Sequence, residues 1–197
     1  NFKTKYSQNN GIFKNIINNL IIKRNYILIP IQIPNDESLK HSNIDIENFI
    51  KKITAYCIKK KISSILKPHP ANLNETRKFK IYCDNKYVRW NENNLKTLIQ
   101  NSKGIMTINS TVGFESLLFE KPVVTFGKTL YDCVTYKGDI NKIINSINYI
   151  KNFKSNNKIS DYKKFIDWYA GLYSFNLEDE NLMLYNAYKI LHSYRSK

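Results

Sequence analysis

Short runs of aliphatic and β-branched residues alternate along this chain with longer stretches whose apolar positions recur at helical spacing. Tyr26-Ile27-Leu28-Ile29-Pro30-Ile31-Gln32 is an apolar run of strand length, as a strand covered on both faces requires. Ile46, Phe49, Ile50, Ile53 and Cys57 then fall three and four residues apart, which predicts a helix over 44–61. Further strands are predicted at Ser63–Leu66, Phe79–Tyr82, Gly104–Ile108 and Val123–Phe126, with helices at Leu95–Asn101 and Val112–Phe119 between them. Ile12, Phe13, Ile16, Ile17, Leu20 and Ile21 predict a helix ahead of the first strand. After Asp139 the pattern is helical, at Ile140–Tyr149, Tyr162–Tyr169 and Leu182–Leu191, with polar Lys154–Lys158 read as a linker. Strand and helix in alternation predict an α/β fold, a Rossmann-like doubly wound parallel sheet with a helical C-terminal tail. The expected organisation is a helical segment over 1–25, a Rossmann-like domain over 26–152 and C-terminal helices over 153–197.

Composition narrows this picture little. The 197 residues carry 31 Lys+Arg against 16 Asp+Glu, a net charge of +15, with ordinary globular hydrophobic content of 42%. The basic residues are mostly scattered lysines, as in Lys59-Lys60-Lys61 and Lys163-Lys164, which suits a solvated surface. Attraction to anionic lipid or to an acidic substrate is the second reading. Nucleic acid is not expected as a partner, because Arg clusters and recognition-helix patterns are missing. No apolar run reaches the roughly 18 residues of a membrane span. Three scattered cysteines with no Cys-x-x-Cys pair favour neither zinc nor a disulfide framework, so the expected home is the cytoplasm. The start at Asn1 suggests a piece of a longer protein.

An open parallel sheet binds ligands beyond the carboxyl ends of its strands, and three segments are expected there. In Gln32-Ile33-Pro34-Asn35-Asp36-Glu37-Ser38, Asp36 is either a turn and cap residue or a carboxylate facing the cleft. In Lys67-Pro68-His69-Pro70, two prolines stiffen the backbone around His69, which suits either a structural hydrogen bond or donation to a phosphate. Asn109-Ser110-Thr111-Val112-Gly113-Phe114-Glu115-Ser116 starts a helix with natural capping residues. The same helix end offers free N–H groups and a positive dipole to an anion, while Gly113 permits close approach and Glu115 is suited to sugar hydroxyls. Neither a Walker loop nor Gly-x-Gly-x-x-Gly occurs, so a nucleotide phosphate without a bound dinucleotide cofactor fits best. His41 and His192 sit in polar contexts and are assigned no role.

These three segments, followed by Lys121-Pro122-Val123-Val124-Thr125-Phe126-Gly127, resemble in order and spacing the bacterial capsule polysaccharide biosynthesis family. Its best-understood members transfer Kdo from CMP-Kdo. The His-Pro and Ser-Thr elements are also similar to those of bacterial sialyltransferases. The resemblance implies a GT-B architecture of two Rossmann-like domains, this chain being the C-terminal, donor-binding half. It implies a glycosyltransferase that needs no metal and no cofactor beyond a nucleotide-sugar donor, CMP-linked as in the family's best-understood members. By motif, His69 would contact the donor phosphate, and Ser110 and Thr111 would hold it from the helix end. Glu115 would lie near the ribose or base, with Gln32, Lys67, Asn109 and Gly113 also counted as donor-binding positions. Asp36 would be the catalytic carboxylate. Implied partners are a glycan or glycolipid acceptor, an N-terminal GT-B domain and the inner face of the cytoplasmic membrane. Lys128-Thr129-Leu130-Tyr131 departs from the family's aromatic-rich segment, which leaves a different nucleotide sugar open. A non-catalytic basic module that binds anionic lipid or acidic glycan is the alternative.

Overall fold

The structure, a computed structural model, describes residues 25–172 apart from position 35. The helices predicted over 12–21 and 182–191, and His192, lie outside the described residues. Among the described residues six strands form one wholly parallel sheet: β1 (Tyr26–Pro30), β2 (Ser64–Lys67), β3 (Val88–Trp90), β4 (Ser102–Thr107), β5 (Val123–Thr125) and β6 (Tyr136–Lys137). Their spatial order is β3-β2-β1-β4-β5-β6, the doubly wound order in which the chain reverses direction between β1 and β4. The helices are α1 (Ile46–Lys59), α2 (Leu73–Thr76), α3 (Leu95–Asn101), α4 (Thr111–Leu118), α5 (Ile143–Lys151) and α6 (Ser155–Leu172). The Rossmann-like parallel sheet expected from the alternating pattern is the fold observed.

The period of two along β1 sorts its side chains onto two cores. Ile27, Ile29 and Ile31 pack with Phe49, Ile50 and Ile53 of α1 and with Ile143, Ile147 and Ile150 of α5. Tyr26 and Leu28 face the other way, against Leu98 and Ile99 of α3, Leu117 of α4 and Tyr162 and Phe165 of α6. Burying each such Ile, Leu or Phe contributes about 1.5–3 kcal/mol against leaving it exposed. Asp45 starts α1 by accepting the Asn48 N–H at 2.8 Å. Lys61, at φ 55°, ends the turn that follows, and the Ile62 N–H closes it on Cys57 O at 2.8 Å.

Two expectations are corrected. Phe79–Tyr82 is part of a 3-10 helix, Arg77–Tyr82, and the third strand is Val88–Trp90. In that 3-10 turn Phe79 is buried and Ile81 is 78% exposed, so the apolar residues there do not share one strand face. The Asp84 carboxylate receives the N–H groups of Lys86, Tyr87 and Val88 and folds the chain into the true strand. The stretch Lys154–Lys158 is no linker either, because α6 starts at Ser155.

Gly104, in central strand β4, shows how tight the sheet–helix contact is. A Cβ there would lie 2.9 Å from Pro122 O, Pro122 Cγ and Ile150 Cγ2. Gly104→Ala is therefore expected to cost about 1–3 kcal/mol through overpacking, readable as a lower urea midpoint at unchanged m-value.

Candidate functional site

The switch in strand order between β1 and β4 opens a crevice beyond their carboxyl ends, bordered by the loops that leave these strands. Gln32, buried, reaches across it: its Nε2 donates to Asn109 Oδ1 at 2.7 Å and to Ser38 Oγ at 3.3 Å, and its Oε1 accepts the Asn109 N–H at 3.2 Å. Asn109 Nδ2 donates in turn to Ser38 O at 2.6 Å. Two positions expected to touch a ligand thus spend their amides on each other, clasping the β1 loop to the start of α4.

Beside this clasp lies a cavity of about 290 Å³ lined by Pro30, Ile31, Lys67, Pro68, His69, Pro70, Glu92, Asn93, Asn94, Leu95, Ser110 and Val112. It brings together His69 and Ser110, which are distant in sequence. Lys67 ends β2 with only 8% of its surface exposed. Its ammonium donates to Pro68 O at 3.2 Å, and burial lowers its pKa, opposed by the neighbouring charge of Glu92. His69 precedes the turn Pro70–Asn72 and accepts the Ala71 N–H through Nδ1 at 3.2 Å. In the neutral ring this places the proton on Nε2, which remains a donor for a ligand. Ser110 caps α4, its Oγ accepting the Val112 N–H at 3.2 Å, so the positive end of that helix borders the cavity. An ammonium, an imidazole N–H and a helix N-terminus around one concavity suit a phosphate.

The other expected positions are distributed around this cavity rather than in it. Thr111 and Asn109 line a second cavity of about 330 Å³, walled by Phe114, Leu130, Tyr131, Phe165 and Tyr169. Gly113 is buried against Tyr131: a Cβ would lie 2.5 Å from the phenol oxygen, so its bareness serves packing. The Tyr131 hydroxyl donates to Ser110 O and props the cap from behind. Glu115 is exposed on α4 and is not among the residues lining either cavity. Asp36 caps the 3-10 turn Glu37–His41, accepting the Ser38 N–H at 2.8 Å, and borders a third, polar cavity of about 430 Å³. Hydrogen bonds from Ser38 hold its carboxyl below the usual aspartate range, against a smaller opposing effect of burial. Such a carboxylate stays ionised and is unsuited to act as a general acid.

Glu92, Asn93 and Asn94 were not anticipated. They follow β3, so with the third strand misplaced their position at the sheet's carboxyl edge was hidden. Glu92 Oε1 accepts the Trp90 Nε1–H at 2.9 Å. Among the described residues no three His, Cys, Asp or Glu side chains gather as a metal site would require.

Sheet order and cavity together define a Rossmann-like α/β layer with its anion-suited site at the switch in strand order. The chain belongs to the capsule polysaccharide biosynthesis protein family, whose model matches residues 3–149. No curated protein matches the sequence. Among solved structures, UDP-GlcNAc 2-epimerase from Methanocaldococcus jannaschii superposes with TM-score 0.54 at 19% identity, over 80% of this chain and 49% of that one. The Neisseria meningitidis UDP-GlcNAc 2-epimerase bound to UDP-GlcNAc gives TM-score 0.50 at 17% identity, over 97% and 49%. KpsC of Thermosulfurimonas dismutans, a beta Kdo 2,7 transferase, gives 0.45 at 21% identity, over 61% and 44%. The two epimerases share the fold, and this chain spans about half of their length.

Proposed function

We propose that this chain is the donor-binding half of a glycosyltransferase of capsule or surface polysaccharide synthesis, using a CMP-activated sugar such as CMP-Kdo. The observation that carries the reading is the single cavity shared by Lys67, His69 and Ser110 at the carboxyl edge of the sheet. Membership of the capsule family supports the biological role.

In this reading the donor phosphate takes hydrogen bonds from the Lys67 ammonium and His69 Nε2 and lies at the start of α4. These groups stabilise the charge that develops on the phosphate as the glycosidic bond to it breaks, a task that fixed donors perform without a metal. Glu92, on the cavity wall, accepts from the ribose hydroxyls, the role the sequence assigned to Glu115. Asp36, kept ionised, serves as nucleophile or as stabiliser of an oxocarbenium-like centre. An N-terminal domain supplies the second wall of the cleft, against which the acceptor glycan or glycolipid binds. The enzyme works in the cytoplasm, against the inner face of the membrane.

CMP is expected to raise the melting temperature of the chain, and to do so more than UMP or UDP. His69→Ala is expected to remove at least 80% of that shift, on the order of a lost charge-assisted hydrogen bond or more. A larger response to UDP would assign a UDP-linked donor. No response to any nucleotide by a folded chain would contradict the reading.

A further inference from the structure

The amino-terminal edge of the sheet, remote from the nucleotide cavity, carries a concentration of one charge. Lys60 and Lys61 after α1, Lys103 on β4 and Lys151 at the end of α5 border one cavity of about 270 Å³. Its remaining described walls are Asn25, Tyr26, Ile27, Ile62, Ser63 and Ile150, so no carboxylate lines it among the described residues. The ion pairs among the described residues, Lys40–Glu37 and Lys137–Asp132, involve none of these four lysines. Lys60 and Lys151 stand at helix C-termini, whose partial negative charge favours a cation. That accounts for two of the four. Lys103 lies on a strand, exposed between buried neighbours, and has no helix end of its own. Like charges around one concavity repel until an anion enters.

We propose that this edge is where the protein rests on an anionic lipid surface, with phosphate headgroups entering between Lys60, Lys61, Lys103 and Lys151. Lysines are compact point charges on long stems and suit many weak, interchangeable headgroup contacts. Among the described residues the lining contains no arginine, and its one ring there, Tyr26, is buried with its hydroxyl donated to Leu98 O at 2.7 Å. The described lining therefore offers no stacking platform for nucleic acid. No helix among the described residues is long and apolar enough to cross a membrane, so contact by this edge is peripheral. Docking here leaves the carboxyl edge of the sheet, with His69 and Ser110, turned away from the lipid and open to solutes.

Co-sedimentation of the 197-residue chain with vesicles tests this. Vesicles of phosphatidylcholine with roughly one-third phosphatidylglycerol should bind it at low salt and release it as salt rises, while pure phosphatidylcholine should not. Lys60→Gln/Lys103→Gln/Lys151→Gln should lower the partition coefficient about 100-fold, near five-fold for each charge removed. Lys78→Gln/Lys80→Gln/Lys86→Gln, with the same change in net charge elsewhere on the surface, should lower it only a few-fold. An unchanged CMP-induced melting shift in the first variant would show that it is folded and that the two sites are separate. Equal losses in both variants would overturn the proposal in favour of diffuse charge. Binding to neutral vesicles, no binding to either kind, or full displacement by millimolar inorganic phosphate would overturn it as well.

Discussion

Lys67→Met is expected to make the unliganded protein more stable while lowering its affinity for CMP about 100-fold, or roughly 2.7 kcal/mol. The two effects have one cause. Lys67 is 8% exposed, and its partly desolvated ammonium is compensated by one carbonyl at 3.2 Å and the charge of Glu92. Methionine fills the same space without that desolvation, so the empty site gains about 1 kcal/mol, or ~2–4 °C in melting temperature. The phosphate loses a charge-assisted hydrogen bond that a thioether cannot replace. The pH dependence separates this from a packing effect. Burial holds the Lys67 pKa below its unfolded value, so between those two values this group binds more protons in the unfolded chain and contributes a rise of stability with pH, set against the fall contributed by the buried Cys57 and Cys83 thiols, whose pKa values burial raises. The methionine variant should lack that rise. Thermal melts across the alkaline range, with and without CMP, read all of this; a variant destabilised at neutral pH, or binding CMP as well as wild type, would contradict the role assigned to Lys67.

Gly113→Ala should be strongly destabilising despite replacing glycine by the best helix former. The gain in helix propensity is about 1 kcal/mol. Against it, the new Cβ would lie 2.5 Å from the Tyr131 hydroxyl and 3.0 Å from its Cε2 and Cζ, and the ring is buried. Either α4 or the ring must move, and the hydrogen bond from Tyr131 to Ser110 O breaks with it. The net expected cost is about 2–3 kcal/mol, a fall of ~5–10 °C, together with weakened CMP binding because Ser110 shifts. Adding Tyr131→Phe should recover part of the stability, since it removes the closest atom of the clash. A double-mutant cycle on melting temperature measures that coupling, and purely additive effects would mean that the two residues do not meet.

Where hydrophobic period and local capping agreed, the elements were legible before the structure. Leu95–Asn101 is a helix with the bounds the pattern predicted, and α1 and β1 follow from Ile46–Cys57 and Tyr26–Ile31. The pattern failed at Phe79–Tyr82, where one buried ring in a 3-10 turn imitates strand alternation and a single Asp84 side chain redirects the backbone. That error hid Glu92, because a residue is recognised as edge-lining only when its strand is placed. At the site, His69 and Ser110 could be anticipated because proline and capping chemistry are local signals. Gln32 and Asn109 could not be told apart from ligand contacts, because their partnership links strands that are neighbours only once the sheet forms. The reason for Gly113 was equally hidden: the Tyr131 ring that fills the space beside it arrives from another loop.

The central claim is that one cavity holds a nucleotide phosphate between Lys67, His69 and the start of α4. A crystal structure of the chain grown with CMP tests it most directly. The account predicts phosphate density within hydrogen-bond distance of Lys67 Nζ and His69 Nε2, about 2.7–3.2 Å, beside Ser110. Phosphate seated instead in the aromatic cavity at Tyr131 or among the lysines at the opposite edge of the sheet would contradict it.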